Sequence, residues 1–173
     1  MNRQTMRKKI EQHWGQSGLV TMSSRDAVAL GFSLDESRLL EDIGFPEWAA
    51  PNIWMHEPRF YGDEYLLLGE DREDRLILYR KATHEVIVAL PEVDSYLYVS
   101  QGVIGFIASL ILYADMVDSA IAVRGSDVFV KNQIPKALIA KFEAEVLDAC
   151  PLPSGAASFW LEEIKRLRNG HAD

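Results

Sequence analysis

Residues 95–114 read SYLYVSQGVIGFIASLILYA, twenty consecutive positions without a charged side chain. A run of this kind leaves water, either for lipid or for a protein core. About 20 apolar residues suffice to cross a bilayer's hydrocarbon layer. Three features argue for a core instead. The flanking charges are Asp94, Asp115 and Asp118, with no adjacent Lys or Arg to set membrane topology. Ser95, Ser100, Gln101 and Ser109 lower the hydropathy. The run also changes period: SYLYV has the look of a strand, whereas Val103, Phe106, Ile107, Leu110, Ala114 and Val117 follow helical spacing. Ser100 is placed to N-cap that helix. Ile104, Ile111 and Leu112 make its other side apolar, so the helix is expected to be covered on more than one side. The stretch therefore predicts a sheet strand followed by a core helix, and no membrane partner.

The surroundings fit that reading. NIWMHE, EYLLLGE, DRLILYRK and HEVIVALP are short segments rich in Ile, Leu, Val and Tyr, separated by acidic or turn-forming residues. Such spacing predicts consecutive antiparallel strands, with the short connector KATHE closing a hairpin. In LILYR and VIVAL polar residues are scarce on both sides of the alternation, as expected for central strands covered on at least one face. Met6, Ile10 and Trp14 mark a short amphipathic helix ending at Gly15 or Gly18. Ser33 or Asp35 caps another, with Leu39, Leu40 and Ile43 on its apolar side and Gly44 and Pro46 as its stop. Residues 124–132 form an edge strand or an extended loop. Pro135 starts a helix bearing Leu138, Ile139, Phe142 and Val146. A last helix presents Trp160, Ile164 and Leu167, with a Glu162–Arg166 pair at i,i+4 and an end at Asn169-Gly170. The expected fold class is α+β: an antiparallel sheet of about four to six strands packed against helices.

The chain of 173 residues suits a single domain. It divides into an N-terminal helical extension (1–34), a sheet with the central helix (35–130) and C-terminal helices (135–169). Its 26 acidic against 18 basic residues give a net charge of −8, which argues against a nucleic-acid partner. Cys150 is the only cysteine, so an intrachain disulfide and a four-cysteine zinc site are excluded, and a reducing cytoplasm fits. The basic N-terminus MNRQTMRKKIEQHW is followed by no apolar segment and does not read as a secretory signal.

Catalytic patterns are missing from the sequence. His13, His56, His84 and His171 have no ligand-like spacing. Cys150 precedes Pro151 at a helix end and reads as a buried structural thiol. GQSG at 15–18 is not a nucleophile elbow, and GEDREDR lacks EF-hand spacing. No enzyme activity, metal or cofactor is expected. The acidic residues are more informative. Glu70, Asp71, Glu73 and Asp74 crowd one strand connection, with Asp63, Glu64 and Glu57 upstream. They form either a solvated loop that keeps a sheet edge soluble or an anionic surface for a basic protein. Trp48, Trp54, Phe60 and Tyr61 are expected in the core or in loop packing; exposed, they would be interface anchors.

The motif order also carries a family resemblance. LLEDIGFP, NIWMHE, LGED, DRLILYRKATHEVIVAL, YVSQGVIGFIASLILY and DACPLPSGAASFW follow one another over roughly residues 35–165. Gly44-Phe45-Pro46, Gly69-Glu70-Asp71, the Ala82–Val86 turn, Ser100 with Phe106, Leu110 and Tyr113, and Phe159-Trp160 fall at family-like places. This layout resembles the SUKH superfamily, most closely its bacterial branch of toxin-immunity proteins. His84 stands where that family usually has glycine, so the turn is different or holds His in a left-handed conformation. The resemblance implies a SUKH-like α+β domain that neutralises a cognate polymorphic toxin, a nuclease or nucleic-acid deaminase, by protein–protein contact in the cytoplasm. The alternative it implies is a regulatory scaffold for an endogenous partner. Glu57, Asp63, Glu64, Glu70, Asp71, Glu73, Asp74, Trp48 and Tyr61 are the expected contact residues.

Overall fold

A computed structural model describes residues 1–128 and 133–169. The chain opens with α1 (Arg3–Trp14), β1 (Leu19–Val20), α2 (Ser24–Leu30) and α3 (Leu34–Asp42). Three polar side chains start these helices: Asn2, Ser23 and Ser33 each accept a backbone N–H of the first turn. Ser33 and Glu36 complete a capping box. Gly15 and Gly31, at φ 66° and 109°, end α1 and α2 in backbone conformations that favour glycine. Helix α2 was not singled out by the sequence pattern, because it is short and buries only Ala27.

The sheet follows. Strands β2 (Phe45–Pro46) and β3 (Trp48–Ala49) are two residues each; β4 (Ile53–Tyr61), β5 (Tyr65–Glu70), β6 (Leu76–Arg80), β7 (Glu85–Leu90) and β8 (Ser95–Gln101) are longer. β1 and β2 pair as a small separate ribbon, and the other six strands form one antiparallel meander in the order β3-β4-β5-β6-β7-β8. The KATHE turn keeps its hairpin by holding His84 at φ 57°, the left-handed solution. Helices α4 (Gly102–Arg124), α5 (Lys136–Ala149) and α6 (Phe159–Asn169) complete the chain. The fold is α+β, as the alternating patterns predict. Of the segment 124–132, Ser126–Val128 is a 3-10 turn, and positions 129–132 lie outside the described residues, as do Gly170 and His171.

One face of the sheet carries the helices. Ile53, Met55, Leu66, Leu68, Ile77, Tyr79, Val86, Val88, Leu97 and Val99 join residues of all six helices in a single core. Met6 and Ile10 of α1 and Ala27 of α2 belong to that same core. The central helix α4 packs against α1, α3, α5, β7 and β8. Phe106, Ile107, Leu110 and Ile111 are fully buried, whereas Leu112 is half-buried and Ile104 is 36% exposed, so the second apolar side of α4 is covered only in part. Its length and apolarity would suffice for a membrane span, but Val103, Phe106, Ile107, Leu110, Ile111 and Tyr113 are packed into the protein core.

Two local expectations are corrected. Ser100 does not cap α4: its hydroxyl donates to Gly102 O at 2.8 Å, and the helix starts two residues later. The free N–H of Val103 is instead satisfied by Glu36 of α3, at 3.0 Å. The pair on α6 is not Glu162–Arg166. Arg166 donates to Glu163 at 2.8 Å, and Glu162 faces Arg75 at 3.8 Å. Glu163 is the buried carboxylate of the two, so it has the greater need of a cation.

Candidate functional site

The opposite face of the sheet has a different character. Strand register fixes which side chains share it. One row across the strands is Trp48, Trp54, Glu70 and Leu76, continued by Ala89 and Tyr96. The middle row is Arg59, Leu67, Leu78, Ile87 and Tyr98. The third is Tyr61, Tyr65, Arg80, Glu85 and Gln101. An antiparallel sheet with one free face normally makes that face polar. Here Leu67, Leu78 and Ile87 form a second apolar cluster, flanked by Tyr65, Leu76 and Ala89. Among the described residues, none from a helix joins it. The scarcity of polar residues on both sides of LILYR and VIVAL thus has a physical location. One side faces the helical core; the other faces outward.

The aromatics of this region are exposed, which corrects the expectation that they fill the core. Trp48 is 47% exposed, Trp54 43%, Phe60 59% and Tyr61 47%. Trp48 and Trp54 are cross-strand neighbours on the outer face. Phe60 pairs in register with Leu66 on the other side of the strands, where Lys81 Nζ lies 5.1 Å from its ring centre. Arg80 lies across the outer face: its guanidinium carbon is 4.5 Å from the Tyr96 ring centre and 5.8 Å from that of Tyr65, and Nη1 donates to Glu85 at 2.9 Å. Trp48, Trp54, Tyr61, Tyr65, Tyr96 and Arg80 together on one surface are the residue mixture of protein-binding hot spots.

The predicted acidic residues divide into three groups. Asp71 is not on the surface. It is 2% exposed and holds the β5–β6 turn, accepting the N–H groups of Glu73 and Arg75 at 2.9 and 3.1 Å and the Arg75 Nε–H at 2.8 Å. An acidic side chain so bonded is a component of the turn, and a partner cannot reach it. Glu70, Glu73 and Asp74 lie at the same end of the outer face, beside Trp54 and Leu76. Glu70 faces His56 at 3.7 Å, and Glu73 lies 3.7 and 3.4 Å from Arg72 and Arg75. Asp63 and Glu64 occupy the β4–β5 turn at the opposite end, next to Tyr61. Glu57 is exposed in the irregular part of β4, where the pairing shifts between Met55 and Arg59. Tertiary structure therefore joins Trp48, Tyr61, Glu70, Glu73 and Asp74 on one face, with Asp63 and Glu64 at its far rim.

Several residues of this face escaped the sequence reading. Leu76, Ala89, Leu90, Val93 and Glu92 line a cleft at its Glu73–Asp74 end, beside the expected Tyr61. Tyr96 and Arg80 were also unmarked. The available signal was the two-sided apolarity of β6 and β7, which shows that both faces are apolar but not that one lacks a cover.

Other polar clusters explain themselves structurally. Cys150 donates to Gly105 O at 3.3 Å, and burial pushes its thiol pKa up to about 12, opposite to what a nucleophilic thiolate needs. His13 is wedged between Asp115 (3.0 Å) and Asp118 (3.2 Å), tying α1 to α4. Glu163 accepts the Tyr113 hydroxyl at 2.7 Å and also faces Arg72 and Arg166, joining the β5–β6 turn to α6. No group of three or more His, Cys, Asp or Glu among the described residues is arranged to hold a metal ion. No family model, curated protein or solved structure matches the chain.

Proposed function

We propose that this chain is a binding protein without catalytic activity that neutralises a cognate polymorphic toxin by covering its active site or substrate entry. The observation that carries the reading is the outer sheet face, where Trp48, Trp54, Tyr61 and Tyr96 stand exposed around a small buried apolar cluster of Leu67, Leu78 and Ile87. Exposed large aromatic side chains grouped on one face mark a site of contact. The toxin class is what the SUKH resemblance implies, and the charge is compatible with it. A nuclease or nucleic-acid deaminase holds phosphates and so presents a basic cleft, which an acidic protein of net charge −8 approaches quickly and with the right sign. The resemblance to SUKH immunity proteins points the same way and implies a cytoplasmic setting. The aromatic part of the face would also serve an endogenous partner, so a regulatory scaffold is the second reading.

The test is co-expression with candidate toxin domains, including the product of any adjacent toxin gene. Neutralisation is expected, and it should fail when Trp54 and Tyr61 are both replaced by serine. If none of these toxins is bound or neutralised, the immunity reading is wrong. Stable capture of one housekeeping protein on the same face would establish the scaffold instead.

A further inference from the structure

At the acidic end of the outer face the surface opens into a cleft of about 470 Å³. Its apolar lining comes from Leu76 of β6, Ala89 and Leu90 of β7, Val93 of the β7–β8 turn and the Tyr61 ring. Val93 is 68% exposed, a large apolar side chain left in water. Glu73, Asp74 and Glu92 bring carboxylates to the same cleft. Arg75 also lines it but is committed elsewhere: its Nη2 is 2.7 Å from Asp71, and Nη1 faces Glu73 and Glu162 at 3.4 and 3.8 Å. Asp74 and Glu92, both exposed, have no cation partner among the described residues.

A cleft with an apolar lining and unpaired carboxylates selects an occupant that is apolar along its length and positive at its tip. Arginine has that form. Its methylene stem lies on apolar surface, its guanidinium stacks on aromatic rings, and its fixed fork of N–H groups bonds carboxylates in pairs. We propose that this cleft seats an arginine side chain projecting from a basic partner protein, as the anchor of the interface. The proposal rests on the binding-protein reading above and names the side chain that the face selects. A second copy of the chain is the poorer occupant, because pairing would set the carboxylates of Glu73, Asp74 and Glu92 and a charge of −8 against their equals.

The probes are the peptides acetyl-Leu-Arg-Leu-amide and its citrulline counterpart, which keeps the shape and removes the charge. Each is titrated at low salt into the ¹⁵N-labelled full chain and followed by amide chemical shifts. The arginine peptide is expected to shift Leu76 and residues 89–93 saturably, and to bind at least about tenfold more tightly than the citrulline peptide. The double variant Asp74→Asn/Glu92→Gln should erase that preference while its spectrum elsewhere stays unchanged. Both sites are exposed, and asparagine tolerates the left-handed backbone of Asp74, φ 57°. Equal binding of the two peptides, or shifts confined to the Asp63–Glu64 turn, would overturn the proposal. Concentration-dependent shifts of the same residues without peptide would also overturn it and identify a second copy as the occupant. Such failures leave the toxin reading standing, since that is judged separately by neutralisation in co-expression.

Discussion

The Glu36 carboxylate accepts the backbone N–H of Val103 at 3.0 Å, joining two residues 67 positions apart. One side chain thereby closes the capping box of α3 and satisfies an orphan donor at the start of α4. Its other oxygen accepts the Tyr79 hydroxyl at 2.7 Å and the Ser33 amide at 2.9 Å. Tyr79 has one proton, and that goes to Glu36, so the His84 Nδ1–H donates to the phenol oxygen. A carboxylate thus ties α3, β6 and the central helix together, with a negative charge at the positive end of α4.

This arrangement sets a pH dependence. Burial raises the pKa of Glu36, but hydrogen bonds from Ser33, Tyr79 and Val103 outweigh it and hold the group below its ordinary value of 4.5. A depressed folded pKa means stabilisation that is fully present above 4.5 and lost as pH falls through the folded value. In Glu36→Gln the amide meets donors with a donor, and about 2 kcal/mol of stability should be lost at neutral pH. Urea unfolding midpoints measured from pH 7 down to 3 should show the two proteins converging. A constant gap across that range would refute the role of the charge.

Gly102 begins α4 at φ 74°, and a Cβ there would lie 2.7 Å from Glu36 Oε1. Gly102→Ala is therefore strained twice, by its backbone and by displacing the carboxylate. A loss of about 2–3 kcal/mol is expected. Thermal unfolding of Gly102→Ala should fall well below that of Gly125→Ala, which shares a positive φ but meets no neighbour.

Phe106 is fully buried, 6.3 Å from Phe45 between ring centres. Phe106→Asp places an unpaired charge in the core and should abolish folding, with a cost of about 4 kcal/mol or more. Circular dichroism and solubility read the outcome. A variant that stays folded and merely leaves a membrane fraction would contradict the core role of α4.

Trp54 is exposed on the outer face, paired across the strands with Trp48. Trp54→Ser should change stability by no more than about 1 kcal/mol while weakening partner binding at least about tenfold. Calorimetric unfolding and binding titration on the same sample separate the two effects. A large stability loss with intact binding would assign Trp54 to the fold instead.

Burial holds the Cys150 thiol protonated, with its pKa pushed up to about 12. The native protein should resist iodoacetamide at pH 8 and react fully in urea, as followed by mass spectrometry. Rapid labelling of the folded chain would show the thiol to be accessible.

Much of the fold was legible along the chain because it rests on local rules. The period change inside SYLYVSQGVIGFIASLILYA separated β8 from α4. The apolar runs between turn residues placed β4 to β7, and the amphipathic spacings of Met6, Ile10 and Trp14 or of Trp160, Ile164 and Leu167 placed α1 and α6. The elements that escaped, α2 and the two-residue strands β1 to β3, are too short to carry a period.

The candidate site was less legible. Its acidic residues could be named in advance, but their fates depend on depth. Asp71 and Asp74 sit three positions apart in one turn, yet the first is buried as its scaffold and the second is exposed. Composition and periodicity determined by themselves that this is an acidic α+β chain with a central core helix and an antiparallel sheet. Only the tertiary structure decided which face of that sheet the helices cover, that Glu36 rather than Ser100 satisfies the start of α4, and that Trp48, Trp54 and Tyr61 stand in water. Burial and long-range capping are contacts between residues distant in the chain, and no local pattern records which partner arrives.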